Sequence, residues 1–184
     1  PDGTDDLTPP TSRSASAGST RAQVIRSVLP RLYDALPDGE NSVREQYLAA
    51  ISAARDYVYL ENQILLSRAV LEVLGEALDR GVRVVAMVPG DPMPVLAAAR
   101  SHPGVAAGFD ALAALGRREG FCLAAPAARR SWGYEEVYVH AKAAVVDDAW
   151  ATIGSTNLIF TSFQGDTEMN VSFWDGDLVQ GLRS

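Results

Sequence analysis

The 184-residue sequence holds one cysteine and two histidines, and no apolar run in it approaches the length of a membrane span. With Cys122 alone, an intrachain disulfide is excluded. Its apolar setting, Phe121-Cys122-Leu123, reads as a buried free thiol. Without about 20 consecutive apolar residues there is no transmembrane helix. No charged and then apolar amino-terminal stretch reads as a secretory signal. The chain is therefore expected to be soluble or peripheral to a membrane, with its compartment open. Positive charge is also scarce, at 16 Lys and Arg against 23 Asp and Glu, for a net charge of −7. Non-specific nucleic-acid binders carry a basic excess, so nucleic acid is an unfavoured partner. No cluster of ligating side chains is visible, and no metal or cofactor is expected.

What is present is enough for one domain. The sequence is 47% hydrophobic and long enough for a proper core, but short of two. Residues 1–20 are Pro, Ser, Thr, Asp and Gly with hardly an apolar side chain, and read as linker or loop. Residues 21–184 read as the folded domain. A strand is expected over 22–28. A helix should follow, opened by a Ser42-Val-Arg-Glu45 capping box, with Tyr47, Leu48, Ile51 and Ala54 on one face. A strand over 57–61 precedes a second helix. Ser67 would cap that helix, Val70, Leu71, Leu74 and Leu78 would form its stripe, and Gly81 would end it. Residues 82–88 are nearly all apolar, the pattern of a strand buried on both faces. Pro-rich residues 89–94 break it. Alanine-rich helices to about Arg118 and a strand near 120–124 follow. Strands alternating with helices, then a hairpin, give an α/β fold in which a mixed β-sheet lies between α-helical layers.

The chemistry concentrates between His140 and Asn157. The spacing is H-x-K-x4-D-x6-G-S-x-N, carried by His140, Lys142, Asp147, Gly154, Ser155 and Asn157. Six fixed residues at average composition recur by chance in roughly one chain in a million of this length, so the match anchors the reading. Residues 137–146 read as a strand, whose period of two puts His140 and Lys142 on one face. Imidazole exchanges protons near neutral pH and can attack as a nucleophile. An adjacent ammonium stabilises phosphate oxygens. Gly154 permits close approach of a ligand to the backbone, while Ser155 and Asn157 supply neutral donors. Glu168, at the start of a further strand, is placed to accept a hydrogen bond from the imidazole and orient it. Asp147 falls where the hairpin turns, with a structural reading beside the catalytic one. His102 sits in a turn and is given no role.

This constellation resembles the HKD motif of the phospholipase D superfamily, and the flanks 147–155 agree with it. Tyr59-Leu60-Glu61-Asn62-Gln63 is similar to a segment of the two-motif, phospholipid-directed members. Residues 22–27 resemble the strand that opens their second half. The resemblance implies a C-terminal half of a phospholipase D-like enzyme, its last helix cut short at Ser184. The activity it implies is cleavage of the distal phosphodiester bond of a phospholipid such as phosphatidylcholine through a phosphohistidine, without a metal. Cardiolipin- or phosphatidylserine-synthase-like transfer, a nuclease, and a non-catalytic supporting half are the alternatives. The implied catalytic set is His140, Lys142, Asp147 and Glu168, with Lys142, Ser155 and Asn157 on the phosphate. As part of the second motif, His140 would act as general acid and base. Glu61, Asn62, Gln63, Met93 and Trp132 are candidates to line the site, or ordinary strand-end and loop residues. A single motif needs a partner: an amino-terminal HKD half, or a second copy of the chain. The phospholipid itself would be met at a membrane surface. Alone, the chain should be weakly active or inactive.

Overall fold

The computed structural model describes residues 18–183. The expectation for residues 1–20 falls largely outside that range. Ten strands and six helices follow in order: β1 (Ala22–Val28), β2 (Glu40–Asn41), α1 (Ser42–Ala53), β3 (Tyr57–Asn62), α2 (Arg68–Asp79), β4 (Arg83–Met87), α3 (Pro94–Ala98), a 3-10 turn (Ala99–Ser101), α4 (Pro103–Leu115), β5 (Phe121–Ala124), β6 (Ala127–Arg130), β7 (Gly133–Glu136), β8 (Lys142–Val146), β9 (Trp150–Gly154), α5 (Phe160–Gln164), β10 (Glu168–Phe173) and α6 (Gly176–Arg183). Eight strands form one mixed sheet in the order β2-β1-β10-β9-β8-β3-β4-β5, and β6 and β7 make a separate hairpin. β3, β4 and β5 run parallel, and β8 joins them antiparallel to β3. This is the α/β mixed sheet expected from the pattern.

One face of the sheet carries the main core. Ile25, Val58, Leu60 and Val84 from the strands pack against Tyr47 and Ile51 of α1 and Leu74 of α2, all at most 1% exposed. The helical stripes land as their spacing requires: Val70, Leu71, Leu74, Ala77 and Leu78 of α2 are all buried. Gly81 follows the helix with φ +87, the left-handed geometry glycine adopts freely. Two capping expectations are corrected. Ser42 is the first helical residue, and its hydroxyl serves Glu40 and the Arg26 backbone instead of forming a capping box. Ser67 does precede α2, but its side chain makes no capping bond.

The opposite face is covered less completely. Among the described residues α6 lies there, with Val179 against Val145 and Ala151. Val24, Val85, Ile153 and Met169 remain between 37% and 58% exposed. β4 therefore alternates between buried and exposed positions and is not buried on both faces. Cys122, on β5 at the sheet edge, is likewise exposed, not buried as its neighbours suggested.

Candidate active site

The strand expected over 137–146 begins only at Lys142. The ladder explains this. β3 ends opposite Lys142, at the Asn62–Lys142 pair, so residues 137–141 have no strand beside them. His140 is thus exposed in an extended segment, its ring stacked on Tyr138 at 6.4 Å between centroids and 22° between planes.

Lys142 is the only lysine in the sequence. It is 8% exposed, on the core face of the sheet. Its Nζ donates to Gln63 Oε1 at 3.0 Å and to the carbonyl oxygen of His140 at 2.9 Å. Burial holds the ammonium below its ordinary value, and the charge of Glu168 opposes that shift. Gln63 is held in turn. Its Nε2 donates to the Tyr138 hydroxyl at 2.6 Å and meets Met93 Sδ at 3.2 Å. Gln63 and Met93 therefore lie in the contact network around Lys142, and Tyr138, not named from the sequence, lies in it too.

The loop after β9 is pinned from two sides. Asn62, 1% exposed, donates to the Thr156 carbonyl at 3.2 Å and accepts from the amides of Ile64 at 3.0 Å and Leu158 at 3.2 Å. Asn170 Oδ1 accepts from the Thr156 hydroxyl at 2.7 Å, while its Nδ2 reaches Thr152 Oγ1 at 3.3 Å. Gly154 packs flat against Asn170, and a Cβ there would collide with Asn170 Oδ1 and the Met169 carbonyl. Sequence reasoning gave Asn170 no role. The available signal was its place two residues after Glu168, on the same face of β10.

Two members of this loop carry free or charged groups. Asn157 is half-buried, and its Oδ1 is shielded from solvent without a hydrogen-bond partner among the described residues. Ser155 donates a very short hydrogen bond to the Glu168 carboxylate and accepts from the Met169 amide at 3.1 Å. Glu168 therefore engages Ser155 here, where a bond to His140 was expected.

Other candidates lie apart. Asp147 follows the last residue of β8, five positions and roughly 16 Å from Lys142 at the rise of a strand. Its carboxylate accepts from the amides of Arg55 at 2.7 Å, Asp56 at 3.0 Å and Tyr57 at 2.8 Å. Asp147 and Asp148 have φ of 53 and 51, the left-handed pair of a tight hairpin turn. Glu61 is corrected as a site-lining residue. It points to the face opposite Asn62 and Lys142, where it accepts from the Tyr59 hydroxyl at 3.1 Å. Tyr59 is half-buried, and this burial together with the Glu61 charge pushes its hydroxyl up to about 12. Trp132 is 77% exposed at the tip of the β6–β7 hairpin.

The ends of β3, β8 and β9 thus carry an exposed imidazole, a buried ammonium bonded to its backbone, a serine–carboxylate pair and an unpartnered amide oxygen. Such a set can hold a phosphate ester by its oxygens and exchange a proton or a covalent bond with it. Fold and site together define a member of the phospholipase D superfamily. More narrowly, residues 47–184 match the family described as "Cardiolipin synthase, PLD-like domain", and the chain belongs to it. A cardiolipin synthase of Listeria monocytogenes is 28% identical over 167 residues, covering 90% of this chain and 30% of that protein. Cardiolipin synthase B of Escherichia coli is 28% identical over 145 residues, covering 78% and 31%. The chain thus spans about a third of the length of these relatives. The fold is shared with Nuc of Salmonella typhimurium, at TM-score 0.62 and 19% identity over 90% of both chains. NucT of Helicobacter pylori gives TM-score 0.62 and 15% identity over 89% of this chain and 92% of that one. Among the described residues no helix is long and apolar enough to cross a membrane.

Proposed function

We propose that this chain is one catalytic half of a phosphatidyltransferase that makes a cardiolipin-type lipid. The observation that carries the reading is Lys142, a buried ammonium fixed by Gln63 and by the backbone carbonyl of His140, whose imidazole is exposed. The family and the relatives' names favour an alcohol over water as the acceptor. A histidine from a second HKD half attacks phosphorus and forms the phosphohistidine. His140 gives its proton to the departing alcohol oxygen. It then takes the proton of the incoming hydroxyl, whose oxygen displaces the histidine from phosphorus. Lys142 balances charge on the phosphate oxygens, Asn157 orients the group, and Glu168 with Ser155 holds the loop against β10. The partner half is the amino-terminal part of the same enzyme or a second copy of this chain. With water as acceptor the same steps give phospholipase D hydrolysis, as on phosphatidylcholine.

The test supplies the full-length gene product, and separately this chain, with phosphatidylglycerol vesicles, and with phosphatidylcholine vesicles in dilute ethanol. Cardiolipin or phosphatidylethanol is measured. Product from the full-length protein, reduced about a thousandfold by His140→Ala, is expected. Phosphatidic acid as the sole product in both mixtures would move the assignment to hydrolysis. Full activity from a strictly monomeric sample of this chain would refute the need for a partner.

A further inference from the structure

A groove of about 660 Å³ opens beside residues 159–164, and none of His140, Lys142, Ser155, Asn157 or Glu168 lines it. Two helices begin in its wall: Ser67 and Ala69 mark the start of twelve-residue α2, and Gly104 and Val105 the start of thirteen-residue α4. First-turn amides carry the positive end of the helix dipole. In α4 only that of Gly104 is free among the described residues, since Pro103 has no N–H and the Val105 amide donates to the His102 carbonyl at 3.0 Å. Two further observations point to a ligand. Ser67 is 4% exposed, yet its hydroxyl makes no capping bond and no other hydrogen bond among the described residues. Arg44 enters from α1 half-buried and has no carboxylate partner among the described residues, whereas Arg68 is tied to Glu72 at 2.8 Å. A half-buried arginine without a carboxylate partner, the unpaired hydroxyl of a buried serine and the two helix starts suit an anion with several oxygens. The rest of the wall mixes Leu66, Ile159 and Phe163 with His102 and the Arg68–Glu72 ion pair, and Phe160 on it is 66% exposed.

We propose that this groove binds the phosphate of an anionic phospholipid. Arg44, Ser67, the first-turn amides of α2 and the Gly104 amide hold the phosphate oxygens, and Phe160 rests against the glycerol and upper acyl carbons. The groove is a second lipid position, one residue further along the chain than the pinned loop that carries Asn157. It uses neither His140 nor Lys142, so it stands or falls apart from the catalytic reading.

The test uses the chain carrying Lys142→Ala, which removes the cation of the other phosphate position. Calorimetry with sn-glycerol 3-phosphate probes the headgroup chemistry. Flotation with phosphatidylcholine vesicles, with and without phosphatidylglycerol, probes the lipid. Both ligands should still bind. Arg44→Gln should weaken both about tenfold, the loss of one charge-assisted hydrogen bond, and Ser67→Ala should weaken both by less. Phe160→Ser, at an exposed position, should weaken vesicle binding and leave glycerol phosphate unchanged. Undiminished binding in both Arg44→Gln and Ser67→Ala overturns the proposal, as does loss of all binding on Lys142→Ala alone. Glycerol phosphate binding without vesicle binding overturns the lipid source and assigns the groove to a soluble phosphate ester.

Discussion

Replacing Asp147 by alanine separates a folding role from a chemical one. The carboxylate accepts three backbone amides, from Arg55, Asp56 and Tyr57 at 2.7, 3.0 and 2.8 Å. A bond to a charged group contributes about 1.5–3 kcal/mol when its partner is left dry, and less when water replaces it. Arg55 and Asp56 are exposed and Tyr57 is half-buried. Counting about 0.5 kcal/mol for each exposed amide and about 1.5 for Tyr57 gives about 2.5 kcal/mol. Alanine also tolerates the φ of 53 at this position less well than aspartate, which adds up to about 1 kcal/mol. A total near 3 kcal/mol is a large part of the stability of an ordinary domain. With a urea slope of about 2 kcal/mol/M, the unfolding midpoint should fall by about 1.5 M. Asp147→Asn keeps one acceptor and the turn, and should fall between wild type and alanine. The assay is equilibrium urea unfolding followed by circular dichroism, beside phosphatidyl transfer by the full-length protein normalised to its folded fraction. An unchanged midpoint with abolished transfer would refute this reasoning and restore Asp147 to the chemistry.

The further predictions concern Lys142 and Gly154. Burial lowers the folded value of Lys142 below its ordinary 10.5. Between that lowered value and 10.5 the unfolded chain keeps a proton that the folded chain has lost. This group's contribution to stability therefore rises with pH across the window and is complete above 10.5. The alkaline limb of kcat/KM should accordingly begin below 10.5, and a limb at or above that value contradicts the burial of the ammonium. Lys142→Met should lower transfer by a factor of about 100 to 1,000 without lowering the urea midpoint, since it removes a desolvated charge. Gly154→Ala should cost about 3 kcal/mol and most of the activity, because the collision with Asn170 displaces the pinned loop. A stable, active Gly154→Ala protein would show that the loop can move without consequence.

Much of the fold was legible because side-chain period and turn chemistry are local. α2 and its stripe, Gly81, β3, β5 and the hairpin at Asp147 and Asp148 all follow from patterns of a few residues. What depends on neighbours distant in sequence was not. Residues 137–141 have strand composition but no strand beside them, so the ladder starts at Lys142. Val85 and Cys122 belong to apolar runs, yet their exposure depends on which sheet face the helices cover. The motif at His140, Lys142 and Asn157 was plain in the spacing. Its supports were less so: Asn62 had a strand-end reading beside the site one, and Asn170 looks like an ordinary strand polar until the loop between them is placed. The Ser155–Glu168 bond likewise depends on β9 lying beside β10.

The solitary lysine has a practical consequence. In most proteins an amine-directed reagent scatters over the surface, but here, apart from the terminal α-amine, it has a single target, and that target is shielded. Acetylation or reductive methylation followed by mass spectrometry becomes an occupancy gauge for the phosphate position proposed at Lys142. The extent of labelling reports how often Lys142 becomes accessible, and its suppression by a phosphate ester reports how tightly that ester binds over it.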